Sequence, residues 1–357
     1  MNKVIYSIII LIIGFLVFLG YIFEWHVDSK YWSTSHPKQI NPYDRFMTMR
    51  FVSENMGFIG GSCEGPLNLN ALKSVLYKTE NGGKNWTRKE FSKGEVEQIE
   101  FIENTLFVLI RIHTENSFRN LKSELWSSED LGDTWMKVYE TGFVQHIMKV
   151  LPINKNNLIG VFKIEEYDPY KSQNQIKHSK DGGKTWENIF STPEISNYSE
   201  IELFSNALVY FAESSLKILE FKNFNAKVIF PIQNEYGYKL DKDGIGNLWV
   251  LQSNKKSIQL IKFDKDWHNS TIDLTNRVDT GFPASFNVEN NNISLILSAG
   301  ESILGVSKKF YHSNNGGGTW NREKIPFSLY TNPIAYFGNN SIWIYGGAGM
   351  FQQRKVH

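Results

Sequence analysis

The chain has one cysteine, Cys63, in 357 residues, so no disulfide can form within it. A free cysteine is most often a small buried hydrophobe, and that is the expectation here. A basic excess is also missing. Lys and Arg total 38 against 37 Asp and Glu, a net charge of +1. A nucleic-acid partner would normally leave a basic surplus, so none is expected. The arginines are few: Arg45, Arg50, Arg88, Arg111, Arg119, Arg277, Arg322 and Arg354. None of the histidines lies close in sequence to Cys63, so no metal site is expected. No phosphate-binding loop is present. Gly316-Gly317-Gly318 lacks the Lys-Ser/Thr that such a loop requires, and no cofactor is expected.

What the chain does have begins at its start. Val4 to Phe23 is apolar apart from Ser7, Gly14 and Gly20. About twenty residues of helix span the roughly 30 Å of a bilayer's hydrocarbon core. No small-x-small cleavage site follows, and no cysteine stands at the boundary for lipid attachment. Residues 1–27 are therefore expected to be an N-terminal transmembrane helix, as a membrane anchor or uncleaved signal. Lys3 precedes the span while Glu24 and Asp28 follow it. That charge order places residues 28–357 on the extracytoplasmic side, periplasmic or extracellular.

Four later segments read alike. They are Thr79-Glu-Asn81-Gly-Gly83-Lys-Asn85-Trp86, Ser128-Glu-Asp130-Leu-Gly132-Asp-Thr134-Trp135, Ser179-Lys-Asp181-Gly-Gly183-Lys-Thr185-Trp186 and Ser313-Asn-Asn315-Gly-Gly317-Gly-Thr319-Trp320. Each is called a box below. The first three Trp are 49 and 51 residues apart, and the gap to Trp320 is 134, room for two eroded boxes. Phe221 to Val228 and Phe263 to Thr271 are the candidates, the latter keeping Asp266 and Trp267. Glycine at the fifth place suits positive φ. The Asp or Asn accepts backbone N–H bonds just ahead of it, with Ser/Thr hydroxyls adding others. The Trp anchors the turn in the core. Two boxes carry Asn for Asp, which keeps the acceptor and drops the charge. A calcium site or catalytic acid tolerates that poorly, so the boxes read as structural.

Between the boxes lie paired apolar runs joined by Asn/Gly turns, the mark of β-hairpins. They are Met47–Ser53 with Phe58–Gly61, Val96–Ile102 with Leu106–Ile112, and Val144–Ile153 with Leu158–Ile164. Glu200–Phe204 with Leu208–Ala212, Tyr238–Leu240 with Leu248–Leu251, and Ala284–Val288 with Ile293–Leu297 follow. Ile334–Phe337 with Ile342–Tyr345 is the seventh hairpin. Each hairpin with its box makes four strands, the size of a propeller blade. The last blade lacks one strand after Gly349 to Arg354, and Tyr31 to Ser35 could supply it. Pairing of the chain's N- and C-terminal strands would remove an open edge. The expectation is an all-β, seven-bladed β-propeller of four-stranded antiparallel blades, preceded by one transmembrane helix.

The boxes and blade pattern resemble the Asp-box, or bacterial neuraminidase repeat, propellers. Within that group they look most like the photosystem II stability and assembly factor family. Phe51-Val-Ser-Glu-Asn-Met-Gly57-Phe58-Ile-Gly60 followed by Thr79 to Trp86 carries the likeness, as do Asp181-Gly-Gly and Asn315-Gly-Gly. The resemblance implies a propeller fold. It implies no photosynthetic role, because function sits in sites grafted on folds.

The sialidase-like relatives of that group use three convergent arginines, the first in an aromatic-Arg-Ile-Pro run. No such run exists here, and Lys replaces a bidentate clamp poorly. Other glycosidases need two carboxylates across a cleft, and Asp168, Asp241, Asp243, Asp264 and Glu289 are the candidates. Each reads more simply as a solvated loop acid. His178 and His312 stand just before a box Ser in different repeats, so they cannot pair locally. Asn197-Tyr-Ser and Asn269-Ser-Thr match glycosylation acceptors, but asparagine is plentiful. The expected function is a non-catalytic, membrane-anchored scaffold that binds a protein partner such as a membrane protein. The alternatives are an immunity-type protein that neutralises an extracytoplasmic toxin, or a glycan-binding or glycan-hydrolysing propeller.

Overall fold

Apolar runs of five to nine residues broken by Asn/Gly turns can bury both faces only if sheets stack on both sides of them. The computed structural model does this. It describes residues 33–35, 39–41, 44–63, 72–113, 121–142, 145–164, 173–192, 195, 200–212, 215–222, 226–231, 237–254, 256–279, 281–302, 305–323, 334–338, 341–345 and 351–355. Every regular element among them is a strand.

Six blades follow one another, each an antiparallel sheet of four strands consecutive in the chain. The first is Asp44–Phe51, Gly57–Cys63, Lys73–Thr79 and Thr87–Lys93. The second is Glu95–Ile102, Thr105–His113, Leu121–Ser128 and Met136–Glu140. The third is Gln145–Pro152, Leu158–Ile164, Gln173–Ser179 and Glu187–Thr192. The fourth is Ile201–Phe204, Ala207–Ala212, Ser215–Glu220 and Ala226–Pro231. The fifth is Gly237–Lys242, Leu248–Ser253, Ile258–Phe263 and Asn269–Asp273. The sixth is Phe282–Glu289, Asn292–Ser302, Gly305–Ser313 and Asn321–Glu323.

The expectation of seven like blades is thereby corrected: six blades have this construction. The hairpin Ile334–Gly338 with Ser341–Tyr345 does not begin a seventh of the same kind. It belongs to a composite sheet with Phe351–Lys355 and with Ser33–Ser35 from the other end of the chain, where Thr34 stands opposite Gln352. The physical difference is one of continuity, since two distant pieces of chain meet there and no box turn intervenes. The expected transmembrane helix at 4–23 lies outside the described residues. Among those described, no helix is long and apolar enough to cross a membrane.

Burial follows strand order. The second strand of a blade is enclosed on both faces, as in Ala207–Ala212 and Leu248–Ser253, and reads as a continuous apolar run. The outermost strand is mostly exposed, as in Thr87–Lys93 and Asn269–Asp273. The core lies between blades. Phe58 and Leu76 of the first pack with Val96, Ile99 and Val108 of the second. Phe107 and Leu125 of the second pack with Val150, Leu158 and Phe162 of the third. Similar layers join the third to the fourth, the fourth to the fifth and the fifth to the sixth.

The turns obey their residues. Glu103 and Asn104 have φ of 48° and 65°, and Ser205 and Asn206 have 48° and 59°. Two successive positive φ values make the two-residue hairpin turn that matches strand twist. The innermost strands of the first, second, third and sixth blades carry a bulge at residues 47, 97, 148 and 284. A bulge re-aims the side chains that follow it.

Gly61 stands opposite Phe46 at the first of these bulges. A Cβ there would meet Arg45 O at 1.9 Å and Phe46 Cα at 2.7 Å, both backbone atoms. Gly61→Ala should cost about 1–3 kcal/mol, the usual penalty of overpacking. Gly142→Ala, where a Cβ meets nothing within 4 Å, is the control. Paired thermal melts in which both variants behave alike would refute this account of the bulge.

Candidate functional site

Two sets of polar residues are candidates for function: the box turns and the side chains on the innermost strands.

The four boxes share one hydrogen-bond scheme. The N–H groups of Gly83, Gly132, Gly183 and Gly317 donate to the hydroxyls of Thr79, Ser128, Ser179 and Ser313 at 2.8, 2.8, 2.8 and 2.9 Å. The indole N–H of each Trp donates back to the carbonyl of the same glycine, Trp86 at 3.0 Å and Trp186 at 2.9 Å. The Asp or Asn caps the turn. Asp181 Oδ1 accepts the Thr185 N–H at 2.9 Å, and Asp130 Oδ1 accepts that of Thr134 at 2.8 Å. Asn81 and Asn315 accept from Asn85 and Thr319 at 2.8 and 2.9 Å.

In the last box the Asp-to-Asn exchange works because a hydroxyl can reverse. Thr185 Oγ1 donates to Asp181 Oδ2 at 2.6 Å. In the last box Asn315 Nδ2 instead donates to Thr319 Oγ1 at 3.0 Å. The Thr185 hydroxyl and its N–H hold Asp181 down to about 2, and Thr134 does the same for Asp130.

Each box also grips its surroundings. The N–H groups of Gly82, Gly182 and Gly316 donate to the carbonyls of Asn55, Asn156 and Asn291, in the hairpin turn of the same blade. The fifth-place glycine faces the preceding blade. A Cβ on Gly183 would meet Leu125 Cδ2 at 2.7 Å, and one on Gly132 would meet Phe58 Cε1 at 3.0 Å. Both have positive φ, 92° and 90°. Trp135 packs edge-on against Phe91 of the first blade, with ring centres 5.3 Å apart. Trp86 is 3% exposed, while Trp135, Trp186 and Trp320 are half-buried.

The eroded fifth-blade turn keeps the cap but moves it. Asp264, rather than Asp266, accepts from the Asp266 and His268 N–H groups, both at 2.9 Å. Trp267 has φ of 68° and packs on Phe204 of the fourth blade at 4.9 Å. Ligand atoms of Asp264, Asp266 and His268 lie within 4.8 Å of one another, on an exposed turn. The candidate at Phe221 to Val228 shows a turn at Phe221, whose N–H donates to Asn206 O at 3.3 Å.

The second set links neighbouring blades near the propeller axis. Gln98 of the second blade exchanges two bonds with Val150 of the third, accepting its N–H at 2.8 Å and donating to its carbonyl at 2.7 Å. Lys149 of the third donates to Ile201 O of the fourth. Glu202 of the fourth pairs with Lys242 of the fifth at 2.9 Å. Asp241 of the fifth accepts from Val288 N–H at 2.6 Å and Asn287 Nδ2 at 3.0 Å, both of the sixth. Its other oxygen accepts the Lys242 N–H at 2.9 Å. Burial pushes Asp241 up to about 7, with Glu202 adding to the rise and the Val288 N–H and the charge of Arg50 opposing it. Burial pushes Glu202 up as well, but the charges of Lys242 and Lys149 outweigh it and hold the carboxyl below its usual range.

The remaining sequence candidates scatter. Asp243 is buried and caps its own hairpin turn, accepting from Asn247 N–H and Trp249 Nε1 at 2.7 and 2.9 Å. Glu289 ends an innermost strand opposite Asn292. Asp168 lies outside the described residues. His178 pairs in register with Glu187, and burial lowers its pKa. His312 is buried 3.2 Å from Glu323, stacked on Phe310.

Sequence reading missed a repeated brace. Tyr77 donates to Asp44 Oδ2 at 2.7 Å, and Arg88 reaches the same oxygen at 3.2 Å. In the sixth blade Tyr311 donates to Asp279 Oδ2, which Lys309 also reaches at 2.8 Å, with Arg322 at 4.0 Å. Burial first, and then the carboxylate, pushes both tyrosines up to about 12. The signal was present: Tyr-x-Thr/Ser opens these two boxes and Trp-x-Arg closes them.

No family model matches the chain, and no curated protein does. Solved structures do. The GH74 xyloglucanase from Xanthomonas campestris aligns at 11% identity with a TM-score of 0.59, over 91% of this chain and 54% of its own. A catalytically inactive virginiamycin B lyase from Staphylococcus aureus with quinupristin aligns at 12% identity and 0.59, over 91% and 99%. The β-propeller domain of the Trilobed protease from Pyrococcus furiosus aligns at 11% and 0.55, over 88% and 94%. At these identities the likeness establishes the β-propeller fold and nothing finer.

Three outcomes follow for the boxes. Trp86→Ala should cost about 3–5 kcal/mol, as truncating a buried large aromatic does. Asp181→Asn should leave the melting temperature at neutral pH nearly unchanged. The depressed carboxyls of Asp130 and Asp181 stabilise the fold above their ordinary pKa of 3.8, and that contribution is lost as pH falls toward about 2. Doubly substituted Asp130→Asn/Asp181→Asn protein should therefore show a flatter acid limb in urea melts. A limb as steep as that of the parent chain would contradict the capping role.

Proposed function

We propose that the chain is a non-catalytic, membrane-anchored propeller on the extracytoplasmic side that binds a protein partner, in the manner of the Asp-box assembly-factor propellers it resembles. One observation carries the reading. The carboxylates of the box turns and of the axial strands act on their own turns or on the next blade, which is the work of a scaffold. The apolar stretch 4–23, of bilayer-spanning length, supports the membrane attachment.

The two faces of the disc differ in what they offer a partner. Hairpin turns and boxes share one face and are tied to each other there. The strand ends Cys63 and Lys73, His113 and Leu121, and Ile164 and Gln173 lie at the opposite face, and the sequence between each pair is longer than that between Ala212 and Ser215 or Ser302 and Gly305. Binding residues concentrate on such connections when a rigid scaffold carries them. We place the docking face there, over the first three blades.

A second reading has its own support. Asp241 and Glu202 are neighbouring axial carboxyls shifted in opposite directions, a pattern used by acid/base pairs in glycoside hydrolysis. It is the weaker reading, since Asp241 already accepts three hydrogen bonds. Cross-linking of the full-length chain in detergent-solubilised membranes separates the two. The expected result is cross-links from residues 64–72, 114–120 or 165–172 to one membrane-embedded protein. Glycan cleavage abolished by Asp241→Asn, with no protein cross-linked, would overturn the scaffold reading in favour of hydrolysis.

A further inference from the structure

The outermost strand of a blade has an open edge, and five of the six blades spoil theirs for pairing. In the first four the outermost strand bulges, between Glu90 and Lys93, Lys137 and Tyr139, Asn188 and Phe190, and Val228 and Phe230. A bulge twists an edge away from a second strand, and charge on an edge repels one. Thr87–Lys93, Met136–Glu140 and Ala226–Pro231 also carry lysine, and Glu187–Thr192 carries a glutamate. The sixth blade ends in three residues, Asn321–Glu323, two of them charged. The fifth blade has neither bulge nor lysine nor a shortened strand. Asn269–Asp273 is exposed at every position but Ile272, pairs with Gln259–Phe263 without a break and contains no Lys, Arg or Glu. We propose that this edge is a self-association site, where a second copy of the chain adds its own Asn269–Asp273 strand antiparallel across a two-fold axis.

The ladder shows which backbone groups the edge offers. Along an antiparallel pair, hydrogen-bonded positions alternate with non-bonded ones. At one end of this strand the Leu274 N–H donates to Ile258 O at 2.9 Å, and at the other the Asp264 N–H donates to His268 O at 3.0 Å. Counting in twos from either end, Ser270 and Ile272 bond inward, opposite Lys262 and Leu260. The N–H and C=O groups of Asn269, Thr271 and Asp273 therefore point away from the blade.

The side chains suit a second copy. A two-fold axis through Thr271 sets that residue opposite itself and Asn269 opposite Asp273 of the second copy. All three positions bond outward, so each facing pair exchanges two N–H···O bonds. Threonines facing one another across a ladder can share a hydrogen bond. The Asn269 amide meets a carboxylate able to accept it: Asp273 Oδ1 takes the Thr275 N–H at 2.9 Å, and the carboxylate keeps further acceptor capacity. No like charges face each other, and half-buried Ile272 falls opposite Ser270.

A strand this short covers less surface than a permanent dimer needs, so the association is weak and reversible. It also leaves the proposed docking face over the first three blades open.

Disulfide trapping of the full-length chain in cell extract, with Cys63 replaced by Ala, tests the register. Thr271→Cys would face itself at the ~5.5 Å Cα separation of a hydrogen-bonded pair, within disulfide reach. Ser270→Cys would face Ile272, and Thr87→Cys lies on the bulged edge of the first blade; both positions are exposed. Thr271→Cys should form a covalent dimer about tenfold faster than either control. A second variant separates pairing from folding. Thr271→Pro deletes an outward N–H that the blade does not use, so the melting temperature should hold while self-association, read by sedimentation velocity of the purified chain at rising concentration, is lost. Ser270→Pro deletes an inward N–H and should lower the melting temperature instead. Trapping of Thr271→Cys no faster than its controls, or as an adduct with a different protein in place of a dimer, would overturn the proposal. So would a Thr271→Pro chain that keeps both its fold and its self-association. If Thr271→Pro does not fold, the trapping rates decide.

Discussion

Each blade depends on how closely the next can approach it, and the box glycines set that distance. Gly132 lies against Phe58, Gly183 against Leu125, and Gly317 within reach of Leu260 and Ile272. In each case the neighbour is a side chain of the blade before. Positive φ excludes most residues at this place, and the close approach excludes a Cβ as well. The same turn ties its Trp to its own glycine carbonyl. One eight-residue motif therefore closes a hairpin, anchors an aromatic side chain and seats one blade on another. Where a box is present its turn lets the two sheets come together; the layers from the third to the fourth blade and from the fourth to the fifth form without one.

The innermost strands pose the opposite problem. They crowd around an axis, and their polar side chains lose water without gaining an apolar role. Buried polar groups need partners, and here the nearest supply is the adjoining blade. Gln98, Lys149, Glu202 and Asp241 each bond across one seam. Gln98 and Lys149 come directly after a bulge, which turns them toward the next blade. These links add direction to a core that is otherwise non-directional. The Tyr77–Asp44–Arg88 and Tyr311–Asp279 braces do comparable work in the first and sixth blades, tying the chain at the start of each blade to its third strand.

Much of this was legible in the sequence, for a physical reason. The boxes are local: every donor and acceptor lies within a few residues, so the pattern Ser/Thr-x-Asp/Asn-x-Gly fixes the turn by itself. The hairpin turns at Asn104 and Asn206 were legible for the same reason. Blade number was not, because the chain's two ends share a sheet whose hairpin is not followed by a box. In the fifth blade the segment keeps Asp266 and Trp267, yet it is Asp264, three residues before the Trp rather than the five of a box, that caps the turn. The axial set was hidden as well. Its partners lie 40 to 52 residues apart, and a bulge shifts the alternation that would place them on one face.

Asp181 and Asp241 show why a carboxylate's neighbours matter more than its identity. Both accept backbone N–H bonds at ordinary lengths. Asp181 sits on an exposed turn, where a hydroxyl and an N–H stabilise its charge and water costs it nothing. Asp241 is half-buried in a seam between packed strands, and a second carboxylate acts on it. One is held near 2 and the other near 7. The first can be exchanged for Asn within the repeat itself, because its role is geometric. The second is set apart by its surroundings: it accepts its hydrogen bonds from its own backbone and from the adjoining blade.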